Sequence, residues 1–88
     1  MLLSEIMKSA DLVCDVRLEN VERVKKFNKI CCETDGTFDV ISGRYVVDGK
    51  SILGLFSLSL NKPVTLAARF ANNDEAKLFE EKVKEFVA

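Results

Sequence analysis

Arg44-Tyr45-Val46-Val47-Asp48-Gly49-Lys50-Ser51-Ile52-Leu53-Gly54-Leu55-Phe56-Ser57-Leu58 is the stretch whose reading decides the fold. Its opening, Arg44 to Asp48, is β-branched and aromatic at its centre, which suits a strand better than a helix. Gly49 breaks the strand. Ser51 is the kind of residue that caps a helix, because its side-chain oxygen can take up a backbone N–H of the first turn. Beyond it Ile52, Leu53, Leu55 and Phe56 are too crowded for simple alternation, so the segment reads as a short helix. Its far end, through Leu58 and Leu60, also alternates as a strand would, and the choice between the two stays open there.

Upstream, Leu12, Cys14, Val16 and Leu18 alternate with Val13, Asp15 and Arg17, the period of a half-buried strand. Asn20 then reads as the N-cap of a helix in which Val21, Val24, Phe27 or Asn28, and Cys31 recur at spacings of three and four, with Lys25, Lys26 and Lys29 facing water. The helix ends near Cys32. Asp35-Gly36 is a turn, after which Phe38 and Val40 alternate with Asp39 and Ile41 up to a hairpin turn at Ser42-Gly43. Downstream, Pro63 ends the Ser51 element, and Val64, Leu66, Ala68 and Phe70 alternate with Thr65, Ala67 and Arg69 as the last strand. Asn72 and Glu75 form a capping-box start to a closing helix with Ala76, Phe79, Val83 and Phe86 on one face.

The order βαββαβα predicts an α/β (α+β) open-faced sandwich, a four-stranded antiparallel sheet covered on one side by three helices. That domain spans residues 11–88. Residues 1–10 fit no clear element and read as an N-terminal extension, flexible or loosely helical.

The chain has 88 residues, 48% of them hydrophobic, enough for one core and too few for two. Thirteen basic against fourteen acidic residues leave a net charge of −1, without the basic footprint of nucleic-acid binding. No apolar run reaches membrane length, and the start lacks the basic region of a secretory signal, so a cytoplasmic, non-membrane protein is expected. Three cysteines, Cys14, Cys31 and Cys32, lack zinc-site or redox-motif spacing; Cys31 is expected in the core and Cys32 as a partly exposed thiol. There is no histidine, the commonest general base and metal ligand. With no catalytic constellation, no metal site and no cofactor motif, a non-enzyme is expected, and its partner should be a protein.

The segment Gly49-Lys50-Ser51-Ile52-Leu53-Gly54-Leu55-Phe56-Ser57-Leu58 resembles the serine-site segment of the HPr family, the histidine-containing phosphocarriers of the bacterial sugar phosphotransferase system. The match is best over residues 37–70 and extends over residues 12–87. The resemblance implies that Ser51 corresponds to the family's regulatory serine, the target of a dedicated kinase. Ile52, Leu53 and Phe56 then correspond to its partner-contacting helix face, with Lys50 as a supporting residue. It further implies protein partners such as that serine kinase or a transcription regulator of the same network. The family carries phosphate on a histidine after the first strand, with an arginine two residues later. Counting back from Ser51 puts Asn20 and Glu22 at those places. An amide nitrogen whose lone pair is delocalised cannot replace imidazole as a phosphate carrier, and a carboxylate repels the phosphate that an arginine would hold.

The resemblance therefore implies a protein that cannot act as a histidine phosphocarrier, and suggests a regulatory or interaction module switched at Ser51. The alternative is a constitutive binding module using the apolar helix face alone. Ser51 can also be an ordinary cap, worth about 1 kcal/mol to its helix. Because Ile52, Leu53, Leu55 and Phe56 cannot all point inward from one short helix, at least one should remain on the surface.

Overall fold

The computed structural model describes residues 3–88, and Met1 and Leu2 of the expected N-terminal extension lie outside them. Among the described residues four α-helices and four strands follow in the order α1 (Leu3–Ser9), β1 (Leu12–Val16), α2 (Val21–Glu33), β2 (Gly36–Ser42), β3 (Tyr45–Asp48), α3 (Ile52–Phe56), β4 (Val64–Phe70) and α4 (Asn73–Val83). A 3₁₀ turn, Lys84–Phe86, ends the chain's regular structure. The strands form one sheet in the order β1-β4-β2-β3, with every neighbouring pair antiparallel.

Side-chain alternation sends Phe38, Val40, Leu66 and Ala68 to one face, where α2, α3 and α4 bury them. Val24, Phe27, Ile30 and Cys31 are the buried stripe of α2, and Phe79 and Val83 that of α4. Aromatic rings bind the layers. Phe38 stacks on Phe79 with centroids 4.7 Å apart and meets Phe70 edge-on at 5.9 Å, while Phe27 meets Phe86 edge-on at 5.6 Å. The three helices on one side are those the sequence predicts, and the last strand has the predicted extent.

Several local expectations are corrected. Val21 is exposed, because it is the first helical residue and lies one turn ahead of Val24, the first to reach the core. Leu18 is buried but outside β1, which stops at Val16. Phe86 is buried from the 3₁₀ turn rather than from α4. The Asn72 side chain accepts the Glu75 N–H at 2.9 Å, but the Glu75 carboxylate accepts the Asp35 N–H at 3.3 Å, so the box ties the helix to the preceding α2–β2 corner. After Phe56 the chain is neither helix nor strand: Leu58 turns into the core from a loop.

The opposite face is not bare. α1 lies across it, burying Ile6 against Ile41 and Ala67, two of the apolar residues that alternation assigns to that side. Arg69 holds the helix there. Its guanidinium donates to the Ile6 carbonyl at 3.1 Å and the Ser9 hydroxyl at 2.6 Å, and pairs with Asp39 at 3.0 Å. Leu3–Ser9 thus form a helix where the sequence shows no clear element. Among the described residues no helix is long and apolar enough to cross a membrane.

Because Phe79 is fully buried and stacked on Phe38, Phe79→Ala should cost about 3–5 kcal/mol. The expected signature is a lower urea midpoint at unchanged slope.

Candidate functional site

The candidate site is the corner where β3 becomes α3. Asp48 makes the turn: its carboxylate accepts the Lys50 N–H and its carbonyl the Ser51 N–H, each at 2.9 Å. Gly49 lies underneath, buried, donating to the Phe38 carbonyl at 2.8 Å and accepting from the Asn28 side chain at 3.1 Å. A Cβ there would come within 3.0 Å of the Phe38 Cβ and 3.2 Å of the Cys31 sulfur, so only a glycine passes without moving the core. Ser51 has extended backbone angles, φ −97° and ψ 103°, and its hydroxyl oxygen accepts the Gly54 N–H at 3.3 Å. The serine is the N-cap that the sequence predicts, and its side chain is exposed. Lys50 is also exposed, its ammonium 5.7 Å from the centroid of the Phe38 ring.

Five residues of helix hold in place only because both ends are tied and one side is buried. Leu55 is in the core and Ile52 is half-buried against it. Gly54 crosses close to Val47, where an added Cβ would lie 3.2 Å from the valine Cβ. The Ser57 hydroxyl closes the other end on the Gly54 carbonyl at 2.6 Å. The remaining two positions face water: Leu53 is 80% exposed and Phe56 37%. Of the residues singled out in sequence, Lys50, Ser51, Leu53 and Phe56 are brought together on the surface, while Ile52 is chiefly an anchor.

The corner between β1 and α2 is built differently. Asn20 caps α2, its side-chain oxygen accepting the Arg23 N–H at 2.9 Å, and Glu22 is exposed in the first turn. The connection spans residues 17–20, since β1 stops at Val16, and Glu19 adopts φ 66° within it. Arg23, which sequence reading passed over, organises this corner. Its guanidinium donates to the Arg17 carbonyl at 2.8 Å and the Glu85 carbonyl at 3.1 Å, faces the Glu19 carboxylate at 3.4 Å, and lies 4.6 Å from the Phe86 ring centroid. The only sequence signal for it is the Glu19–Arg23 spacing of four. With its donors turned to backbone carbonyls, this guanidinium is a fastener between α2 and the C-terminal turn.

Cys31 and Cys32 flank the Ser51 corner from α2, while Cys14 lies in β1. Cys31 is buried, and burial first, then the neighbouring Cys32 and Asp48, push its thiol up from 9.0 to about 12. Burial also raises Cys14, with Asp15 and Glu80 adding to it. Cys32 is exposed, its sulfur 3.6 Å from the Lys50 carbonyl. A hollow of about 390 Å³ lies elsewhere, between Asp11, Phe70, Asn72, Asn73 and Glu80 at the start of α4, and contains none of the predicted site residues. Among the described residues no three His, Cys, Asp or Glu side chains are grouped to hold a metal.

Sheet order, helix placement and a capped short helix directly after β3 together define an open-faced sandwich of the HPr type. Among solved structures, the chain is similar to the crystal structure of HPr-C-His from Thermoanaerobacter tengcongensis. The two share 16% identity and superpose with a TM-score of 0.63 over 84% of this chain and 90% of that one. At that identity the likeness concerns the fold. No protein-family model matches the sequence, and no curated protein matches it.

Ser51→Ala should cost about 1 kcal/mol, and Ser51→Asp, which keeps a capping oxygen, only a fraction of that; chemical denaturation distinguishes them. In the unfolded chain the Cys31 thiol ionises near 9.0, whereas in the folded protein it stays protonated to about 12. Folded protein therefore holds the extra proton, and stability should fall as pH rises across that window. Cys31→Ala should flatten the alkaline slope, and alkylation at neutral pH should label Cys32 long before Cys31.

Proposed function

We propose that this protein is a regulatory protein-interaction module on the HPr fold, docking other proteins through the outward side of α3 and switched by phosphorylation of Ser51. It is neither a histidine phosphocarrier nor an enzyme. The observation that carries this reading is the exposure of Leu53 and Phe56 beside the Ser51 hydroxyl, on a helix pinned from beneath by Leu55. Large apolar side chains carried on a backbone already fixed to the core gain by burial against a partner, since no backbone entropy of that helix is left to lose. The serine kinase and the transcription regulator implied by the family resemblance are the partners of first choice.

In the switching step the Ser51 oxygen takes the γ-phosphoryl group of ATP, releasing ADP and the hydroxyl proton. The modification adds nearly two negative charges next to Lys50 and the apolar pair. A partner with an acidic rim would then be repelled, and one with an arginine cluster attracted. The absence of histidine, the exposed Glu22 and the use of the Arg23 Nε and one terminal nitrogen on backbone carbonyls all support a β1–α2 corner without phosphate chemistry.

A second reading, constitutive docking without modification, is favoured by one fact: Leu53 and Phe56 are exposed with Ser51 unmodified. Incubation with a purified serine kinase that acts on HPr proteins, with ATP, followed by mass spectrometry, should add one phosphate, lost in Ser51→Ala. An unmodified wild type would reject the switch. Phe56→Asp should weaken binding of the same kinase by at least about tenfold, consistent with an interface anchor. Wild-type binding by that variant would reject the docking face.

A further inference from the structure

The sheet has two edges, and the chain treats them differently. Along the outer side of β1 the C-terminus pairs with the strand's end: Val16 bridges Val87, the Arg17 N–H donates to the Phe86 carbonyl at 2.7 Å, and the Ala88 N–H donates to the Asp15 carbonyl at 2.9 Å. Along the outer side of β3 no described strand is paired. The surface there is apolar, with Tyr45 74% and Val46 39% exposed.

The phase of the hairpin decides what this edge offers. The Gly49 N–H donates to the Phe38 carbonyl, and the register continues with Val40 opposite Val47 and Ser42 opposite Tyr45. Tyr45 and Val47 therefore turn their backbone groups toward β2, and Val46 and Asp48 turn theirs away from the sheet. The Asp48 carbonyl is taken by the Ser51 N–H, which leaves the Val46 N–H and C=O and the Asp48 N–H aimed outward. Gly43 at φ 60°, followed by Arg44 at negative φ, makes the tight turn that projects Arg44 beside the start of the strand.

Natural edge strands are usually blunted by charges that repel a copy of themselves. The charges flanking this one are opposite: Arg44 before it and Asp48 at its end, both exposed. We propose that β3 is a self-association edge, at which two copies of the chain pair antiparallel about a two-fold axis at Val46, each Arg44 facing the other copy's Asp48. In that register Val46 meets Val46 and exchanges both backbone hydrogen bonds with it. Tyr45 comes beside the second copy's Val47, and the two sheets become one. Shifting by one pair either way sets a charged residue against Val46, so the charges select the register. The contact is a few residues long, well below the area of a standard interface, and the dimer is correspondingly weak, with Kd roughly 10–1,000 μM. The proposal is independent of the reading of α3.

Sedimentation velocity of the full chain, from about 10 μM to 1 mM, tests it. Wild type should move from monomer to dimer over that range. Val46→Pro removes the outward N–H without touching the ladder to β2, so it should keep the wild-type circular dichroism and remain monomeric throughout. Arg44→Asp and Asp48→Arg should each weaken the dimer by about tenfold or more, while an equimolar mixture of the two should associate, since each charge then meets its opposite. A wild type monomeric at the highest concentration overturns the proposal. So does a Val46→Pro protein that dimerises like wild type, or a folded mixture that gains nothing over its components. Because Asp48 also holds the Lys50 N–H, Val46→Pro decides the matter if Asp48→Arg does not fold.

Discussion

The ring of Phe38 is where the sheet, the closing helix and the Ser51 corner meet. On one side it stacks against Phe79 of α4 and touches the edge of Phe70. Its Cβ is what a side chain at Gly49 would strike, and the Lys50 ammonium approaches its face. A close-packed interior transmits displacement rather than absorbing it. The start of α3 is therefore set by how deeply one aromatic ring of β2 sits in the core, and the geometry of a surface corner is inherited from the packing below.

That dependence explains how a helix of five residues can display two large apolar side chains. Alone it would not form, because so short a segment cannot offset the cost of nucleation. Here Asp48 folds the chain back, Ser51 and Ser57 satisfy its ends, and Leu55 anchors it in the core. Gly54 lets it settle close to Val47. The same arrangement leaves no inward space for Leu53 and Phe56. At the other corner, Arg23 ties the residues after β1 to the C-terminal turn through two backbone carbonyls and the face of Phe86. One corner is fastened inward and the other presents its side chains outward.

The sheet's second face shows why some of the fold escaped sequence reading. Ile41 and Ala67 fall on the side that alternation assigns to solvent, each opposite an exposed valine, Val46 and Val13. Only when α1 is placed over them do they become a small core. Within α1 the signal is weak, since the apolar contact that matters is Ile6 and the clasp comes from Arg69, 63 residues away along the chain. Arg23 escaped for the same reason: its partners are backbone carbonyls, and a carbonyl carries no mark in the sequence.

Periodicity and punctuation determined the strands, the caps at Asn20, Ser51 and Asn72, and the helix layer on one side, because these depend on near neighbours in the chain. The family resemblance pointed to Ser51 and the apolar residues after it, and local crowding required that at least one of them stay outside. Tertiary structure decided which: Leu55 was drawn in, Ile52 partly so, and Leu53 and Phe56 were left facing water by the direction in which α3 crosses β3. It also decided that, among the described residues, β3 has no strand on its outer side while Val87 and Ala88 pair along β1. Those outcomes rest on contacts between residues far apart in sequence, whose free energies no local pattern encodes.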